Sequence, residues 1–443
     1  MANSYLNRTP SSTGNRRKFT FSFWIKKSSS GASETIYNVR PDSNGANRLS
    51  FHSTDTFRIA FEPISKYIFT TRRFRDSSGF YHIVVAVDTE QATAADRVKL
   101  YVNGVQEGSL IKGDGGAATY PDQNADLDIN TQNVINIGRD LETSSNFLNG
   151  YISHFSFVDG QQLTPTTFGE TDSTSGMWKF KSPTGVTWGT NGFHLKFENS
   201  GAMGTDSSGN SNTFTVNGNL KQALDTPSNV YATWGKTFWI AATLTNGNTT
   251  IQTQSNNYAF NPATLGFTQG KWYWENKIDS TAQTDMFGIS GRTEADGTTN
   301  ELGHFADQYG FSSYSGVMRN NNTETSYASA FNTNGKIVQI AVDVDNLKIY
   351  LGLDGVWQNS ANPANNTGGL SIGALSTTQS GFYFPAIGDY SNGAGTYSTN
   401  FGNGFFGTTA ITSAGSNGNG SLFEYDVPSG FYAVNTKNIN TYG

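Results

Sequence analysis

"RVKLYVNGVQ" at 97–106 and "NLKIYLGLDGVWQ" at 346–358 are built to one pattern. In the first, Leu100 and Val102 alternate with Lys99 and Tyr101; in the second, Ile349 and Leu351 alternate with Lys348 and Tyr350. A period of two is the signature of a half-buried strand. Asn103-Gly104 and Asp354-Gly355 then supply residues that accept φ > 0 in a tight hairpin. Each stretch follows an apolar run, "YHIVVAVD" at 81–88 and "KIVQIAVDVD" at 336–345, which reads as a buried strand. The sequence of strand, connection, strand and turn thus occurs twice. Both halves of the chain are predicted to be antiparallel β-structure.

Working outward, the same alternation dominates. In "FTFSFWIKK" (19–27) Phe19, Phe21 and Phe23 share one face, and Thr20, Ser22 and Trp24 take the other. Further strands are expected at 48–52, 57–62, 133–138, 150–160 and 193–199, and again at 249–254, 270–279, 285–290 and 381–390, bounded by Gly, Asn, Asp and Pro. Helices are expected only at 89–97 and 300–310. Charged residues are 14 % of the 443, against about 25 % in average soluble domains, while Gly (49), Phe (31) and Tyr (20) are abundant. That is an all-β composition.

About 100–200 residues is usual for one domain, so two are expected. A polar stretch around Pro227 places the boundary near 225. The expected division is a first domain at 1–225, a second at 226–407 and a segment at 408–443. That segment contains the linker-like "SAGSNGNGS" (413–421) and ends apolar enough to dock on a neighbour, within the chain or in another subunit.

Composition excludes several functions. A net charge of −6 argues against nucleic acid, whose phosphates need clustered Lys and Arg. "NRRK" (15–18) and "TRRFR" (71–75) read as solvated strand ends. With no cysteine there is neither disulfide nor thiolate metal site. The longest apolar run, "IVVAV" (83–87), is far short of the ~18 residues of a membrane span, and the N-terminal stretch lacks the apolar core of a signal peptide. Synthesis in a cytoplasm and no membrane insertion are expected. "WGKT" (234–237) lacks the upstream Gly of a phosphate loop, and His52, His82, His154, His194 and His304 have no zinc spacing.

In the first half, "FTFSFWIKKS", "GFYHIVVAVDTE", "VKLYVNG", "INIGRD" and "LNGYISHFSFVDGQQ" follow one another in an order that resembles the laminin-G or pentraxin-like branch of concanavalin A-like sandwiches. The resemblance implies a two-sheet jelly roll, with sugar binding in many relatives and calcium in some. Asp42, Asn44, Asp126 and Asp128 are the candidate calcium ligands; acids and amides in turns equally serve as caps and Asx-turns. Glucanases of this fold carry three acids at E-x-D-x-x-E on one strand. "GETDSTS" offers Glu170 and Asp172 but has Ser175 third, so catalysis is not expected there.

In the second half, "GKWYWENKI", "FGISG", "YGFSSYSG", "GKIVQIAVDVDNLKIYLGLDGVWQ", "FYFPAIGDYS" and "STNFGNGFF" resemble a SPRY domain in order and spacing. Where that family has N-G after the hairpin strand, this chain has "GLDGVW", which raises the question of turn geometry. The resemblance implies a second β-sandwich, a binding module without a catalytic centre. Trp357, Tyr309, Tyr314 and Tyr390 are the candidate glycan- or partner-binding aromatics, whereas Trp272 and Trp274 read as core.

Taken whole, "SYLNRTPSSTGNRRKFTFSFWIKKS", "DSSGNSNTF", "DTPSNVYATW" and "VPSGFYAVNTKNIN" resemble virion structural proteins of tailed bacteriophages. The resemblance implies a non-enzymatic protein on the virion surface, released by lysis. It would bind host-surface polysaccharide or other virion subunits of capsid or tail as a homo-oligomer, with a trimer favoured. A tail-fibre or receptor-binding role leads; capsid decoration and a polysaccharide depolymerase are the alternatives. The fold class expected is all-β, two concanavalin A-like antiparallel sandwiches in tandem plus a C-terminal extension.

Overall fold

The computed structural model describes residues 4–43, 45–141, 145–235, 242–253, 258–282, 284–294, 300–390 and 394–443. It divides into two compact units, Met1–Gln222 and Ala223–Gly443, so residues 408–443 belong to the second. No helix among the described residues is long and apolar enough to cross a membrane.

In the first unit an eight-stranded sheet runs in the order Leu110–Ile111, Lys66–Arg73, Thr56–Phe61, Gly45–Phe51, Glu34–Asp42, Ile135–Ile137, Tyr5–Arg8, Thr215–Asn217. It faces a six-stranded sheet ordered Phe193–Leu195, Gly150–Asp159, Lys18–Lys27, Tyr81–Asp88, Val98–Val102, Val105–Gln106. Every pairing is antiparallel, and Phe21 stands opposite both Phe157 and Val85. The core forms where the inward faces meet: Phe19, Phe21, Phe23, Phe155 and Phe157 pack against Tyr37, Leu49, Phe51 and Phe57. The Phe21 ring lies 4.6 Å from Tyr37. Each such aromatic contributes roughly 1.5–3 kcal/mol on burial.

The second unit repeats the architecture with different wiring. Its larger sheet follows Ala242–Thr245, Thr250–Thr253, Thr396–Asn400, Lys271–Ser280, Ile337–Asp343, Lys348–Leu353, Val356–Trp357, and Leu370–Ser371 also pairs with Lys348–Leu353. The facing sheet is Tyr258–Pro262, Phe384–Tyr390, Asp285–Ser290, Gln308–Ser312, Val317–Asn320, Thr323–Ser326. Alternation in "WYW" has the expected result: Trp272 and Trp274 lie in the core with Phe287, Ile340 and Tyr397, while Tyr273 points out of the sandwich.

The two hairpins share their geometry. Asn103 and Gly104 have φ of 49° and 81°, Asp354 and Gly355 of 47° and 86°, so both positions of each turn are left-handed, as a two-residue hairpin with native twist requires. The replacement of Asn by Asp leaves the turn unchanged. In each, the side-chain oxygen of the first turn residue accepts a backbone N–H of the preceding strand, Asn103 from His82 at 2.8 Å and Asp354 from Ile337 at 2.9 Å.

One expected helix is present in short form, Ala94–Arg97. The other, at 300–310, is not a helix: Gly303 sits at φ 100°, and Gln308–Ser312 is a strand. Two ion pairs hold the turn open, Glu301 with Arg319 and Asp307 with Arg292, each at 2.9 Å. An unexpected helix, Thr436–Tyr442, is capped by Asn435, whose side chain accepts from Asn438 N–H at 2.8 Å.

Candidate functional site

Both sandwiches have one sheet whose outer face is covered by the chain's own later residues. In the first unit the residues alternating with the core phenylalanines, Thr20, Ser22 and Trp24, are themselves buried. Thr20 Oγ1 donates to Gln161 O at 2.7 Å and accepts from Leu163 N–H at 2.8 Å, fixing the segment that lies over it. Val84, Val158 and Phe168 close an apolar cluster there with Leu163, Val186 and Trp188.

His82 sits at the centre of this cover. Trp24 stacks on one side at 4.6 Å and Trp178 at 6.0 Å. Trp178 Nε1 donates to His82 Nδ1 at 2.9 Å. An indole N–H can only donate, so the imidazole proton is on Nε2, facing Ser22 Oγ at 2.9 Å. Burial pushes His82 down to about 3, and His154 and His194 to about 4. Burial thus favours the neutral form of all three rings at neutral pH.

In the second unit the cover is the C-terminal segment. Phe423, Val427, Phe431 and Ala433 pack on Tyr273, Ala341 and Tyr350, and Tyr432–Ala433 adds in parallel to Lys271–Ser280. A buried carboxylate ties the segment down. Glu275 accepts the backbone N–H groups of Glu424 and Tyr425, each at 2.9 Å, and the Tyr273 hydroxyl at 2.9 Å. Gln339 donates in turn to Tyr273 Oη at 3.0 Å. Desolvation raises the Glu275 carboxyl to about 7 against the pull of these donors.

Where this cover meets the hairpin of 346–358 there is an open groove of about 440 Å³, lined by Gly355, Trp357, Glu424, Tyr425 and Asp426. Trp357, half-buried, leans edge-on against Tyr273 with ring centres 6.3 Å apart. Asp426 is held below the usual carboxylate range by the Ser416 N–H. Burial, and then the negative charges of Asp354, Glu424 and Glu275, raise the Tyr425 phenol. Of these residues only Trp357 stood out in the sequence; the signal for the others was the alternation of acids and aromatics in "FEYDV" (423–427).

The other expected site residues do not join it. Tyr309 is 5 % exposed in the core, its hydroxyl accepting Gly373 N–H at 2.7 Å, and so offers no face to a ligand. Tyr314 is 62 % exposed in the turn after Gln308–Ser312, on the opposite sheet from Trp357. Tyr390 ends Phe384–Tyr390, and its side chain lies outside the described residues.

The four calcium candidates come from two separate stretches of the chain, 42–44 and 126–128. Asp126 pairs with Arg17 at 2.6 Å and Asp128 with Arg16 at 2.7 Å. Asp42 ends the strand Glu34–Asp42, and Asn44 lies outside the described residues. Among the described residues no group of three acids or histidines has metal-binding spacing. The same pairs account for "NRRK", with Lys18 reaching Asp88 at 3.3 Å, and in "TRRFR" Arg72 pairs with Glu107 and Arg75 with Asp55.

Glu170 and Asp172 both contact Lys179, at 3.6 and 3.0 Å. Asp172 also accepts the N–H groups of Thr174 and Ser175, which hold its carboxyl well below the usual range. It caps a turn and is no proton donor.

A family model described as Concanavalin A-like lectin/glucanases superfamily (Laminin_G_3) matches residues 2–167. Among solved structures the chain is similar to the SPRY domain of human HERC1, at 16 % identity over 36 % of this chain and 91 % of that one, TM-score 0.28. It is similar to a further human SPRY domain at 15 % identity over 36 % and 94 %, TM-score 0.27. A third similar structure is stonustoxin, at 15 % identity over 38 % and 27 %, TM-score 0.27. No curated protein matches the chain. The second unit is defined by its own sheets, and the first is an antiparallel two-sheet sandwich whose residues 2–167 match the concanavalin A-like model.

Proposed function

We propose that this is a non-enzymatic binding protein that recognises surface glycan, or a neighbouring subunit, through loops and grooves at the rims of its two sandwiches. The observation that carries the reading is the concanavalin A-like domain itself, joined to a second sandwich whose rim presents an aromatic-walled groove. With part of an outer face in each unit covered by its own chain, recognition falls to rims and turns such as those bearing Trp357 and Tyr314. Glu170 and Asp172 both engage Lys179, and Asp172 also caps the turn at 174–175, which supports a structural role for the pair over glycoside cleavage.

The biological setting follows from the whole-chain resemblance to tailed-phage virion proteins: display on the particle, with a receptor-binding role ahead of capsid decoration. A glycan array with the purified chain, run beside a polysaccharide-cleavage assay, tests the binding reading. Saccharide hits with uncut polymer support it. An empty array with tight binding to capsid or tail would move the reading to a purely structural subunit, and released oligosaccharide would make the protein a depolymerase.

A further inference from the structure

Resting on that reading, we infer that the groove beside Trp357 binds saccharide carrying a protonated amine. The pyranose face would lie on the indole and its ammonium between Glu424 and Asp426.

Four observations converge. The groove, of about 440 Å³, is large enough for sugar rings and has one aromatic wall, Trp357, with Tyr425 beside it. Aromatic faces stack on the C–H surfaces of sugars and attract cations. The charged residues lining it are both acidic, Glu424 and Asp426. Each gives one carboxylate oxygen to a backbone N–H, Glu424 to Thr412 at 2.7 Å and Asp426 to Ser416 at 2.6 Å, and among the described residues no Lys or Arg pairs with either. Asp354, by contrast, is neutralised by Lys336 at 2.6 Å. Buried Glu275 accepts the backbone N–H groups of residues 424 and 425 and so fixes the segment that carries both acids. The local field is negative and selects a cation over a carboxylate- or sulfate-bearing glycan.

A basic peptide is the competing occupant. Recognition of an extended peptide draws on a free strand edge. The edge here is Val356–Trp357, two residues long, and Gly355 just before it abuts Tyr425. What remains is recognition of a ring and a charge.

The test is titration of the full chain with a glucosamine tetrasaccharide, its N-acetylated counterpart and a lysine-rich peptide, followed by calorimetry and tryptophan fluorescence. The double variant Glu424→Gln with Asp426→Asn keeps the amide oxygens that accept from Thr412 and Ser416 while removing both charges. Trp357→Phe keeps an aromatic wall, and thermal melts show that each variant is folded. Expected are binding of the free-amine sugar at least about tenfold tighter than of the acetylated one, and a loss of about tenfold or more in the double variant. The affinity should also fall with salt. Equal binding of both sugars, or binding untouched by the double variant, would overturn the inference while leaving glycan recognition standing. Preference for the peptide would assign the groove to a protein partner. No saccharide bound here or on the array would remove both.

Discussion

Gly104 and Trp178 are in such close contact that a β-carbon on the glycine would stand 2.6 Å from the indole ring. Gly355 meets Tyr425 in the same manner at 2.8 Å. In both units the tip of the repeated hairpin is pressed against an aromatic residue of the segment that covers the sheet.

Gly104→Ala should therefore cost more than an ordinary turn substitution. It adds a side chain at φ 81° and drives the Trp178 ring off His82. A loss of about 2–4 kcal/mol is expected from strain and displaced packing together. Gly31→Ala, at φ 72° but with open space around it, isolates the strain alone and should cost about 1 kcal/mol. Urea unfolding followed by tryptophan emission compares them; equal losses would show that the contact with Trp178 is incidental.

Glu275 makes the C-terminal cover sensitive to pH. Its folded-state carboxyl is raised from 4.5 to about 7, so the closed cover binds the proton more strongly than the open one. The resulting stabilisation, of order 3 kcal/mol, is fully present below pH 4.5 and is lost as pH rises through about 7. Protease cleavage within 412–421 should be faster at pH 8 than at pH 5 relative to a Glu275→Gln control. A constant ratio between the two proteins would refute the linkage.

The buried histidines act in the opposite sense. His82 is lowered to about 3 by burial, so the unfolded chain takes up a proton between its own value near 6.5 and that point while the folded one does not. Stability of the first unit should fall as pH drops through this window, by of order 5 kcal/mol at pH 3 from His82 alone. His82→Gln, which keeps an acceptor for Trp178, should lose that part of the slope in a pH series of urea melts.

Calcium should leave the first unit unchanged. With Asp126 held by Arg17 and Asp128 by Arg16, an added cation would have to displace a guanidinium from each. Melting temperature in millimolar calcium and in chelator should agree to about 1 °C; a saturable rise would return these acids to a metal site.

Much of the fold was legible because its cues are local. The hairpin pairs Asn103-Gly104 and Asp354-Gly355, and the alternation that sends Trp272 and Trp274 inward, are properties of a few neighbouring residues. The covers were not legible. Thr20, Ser22 and Trp24 read as an outer face, and nothing in their spacing announces that residues 161–188 will lie over them. Tyr309 was misplaced for a related reason: reading 300–310 as a helix hid the period of two that puts Tyr309 and Phe311 into the core together. The groove was half legible, as Trp357 is on the hairpin but Glu424, Tyr425 and Asp426 reach it from far along the chain.

The parallel pairing of Tyr432–Ala433 with Lys271–Ser280 also sets a timetable for synthesis. The ribosome must translate past residue 433 before the strand at 271–280 has its last neighbour, so Tyr273 stays uncovered while about 160 codons are read and Tyr350 while about 80 are. The first unit, whose strands all lie before residue 218, is free to fold during that interval. A nascent chain stalled short of the C-terminal cover would display Tyr273, Ala341 and Tyr350 as an apolar face open to water.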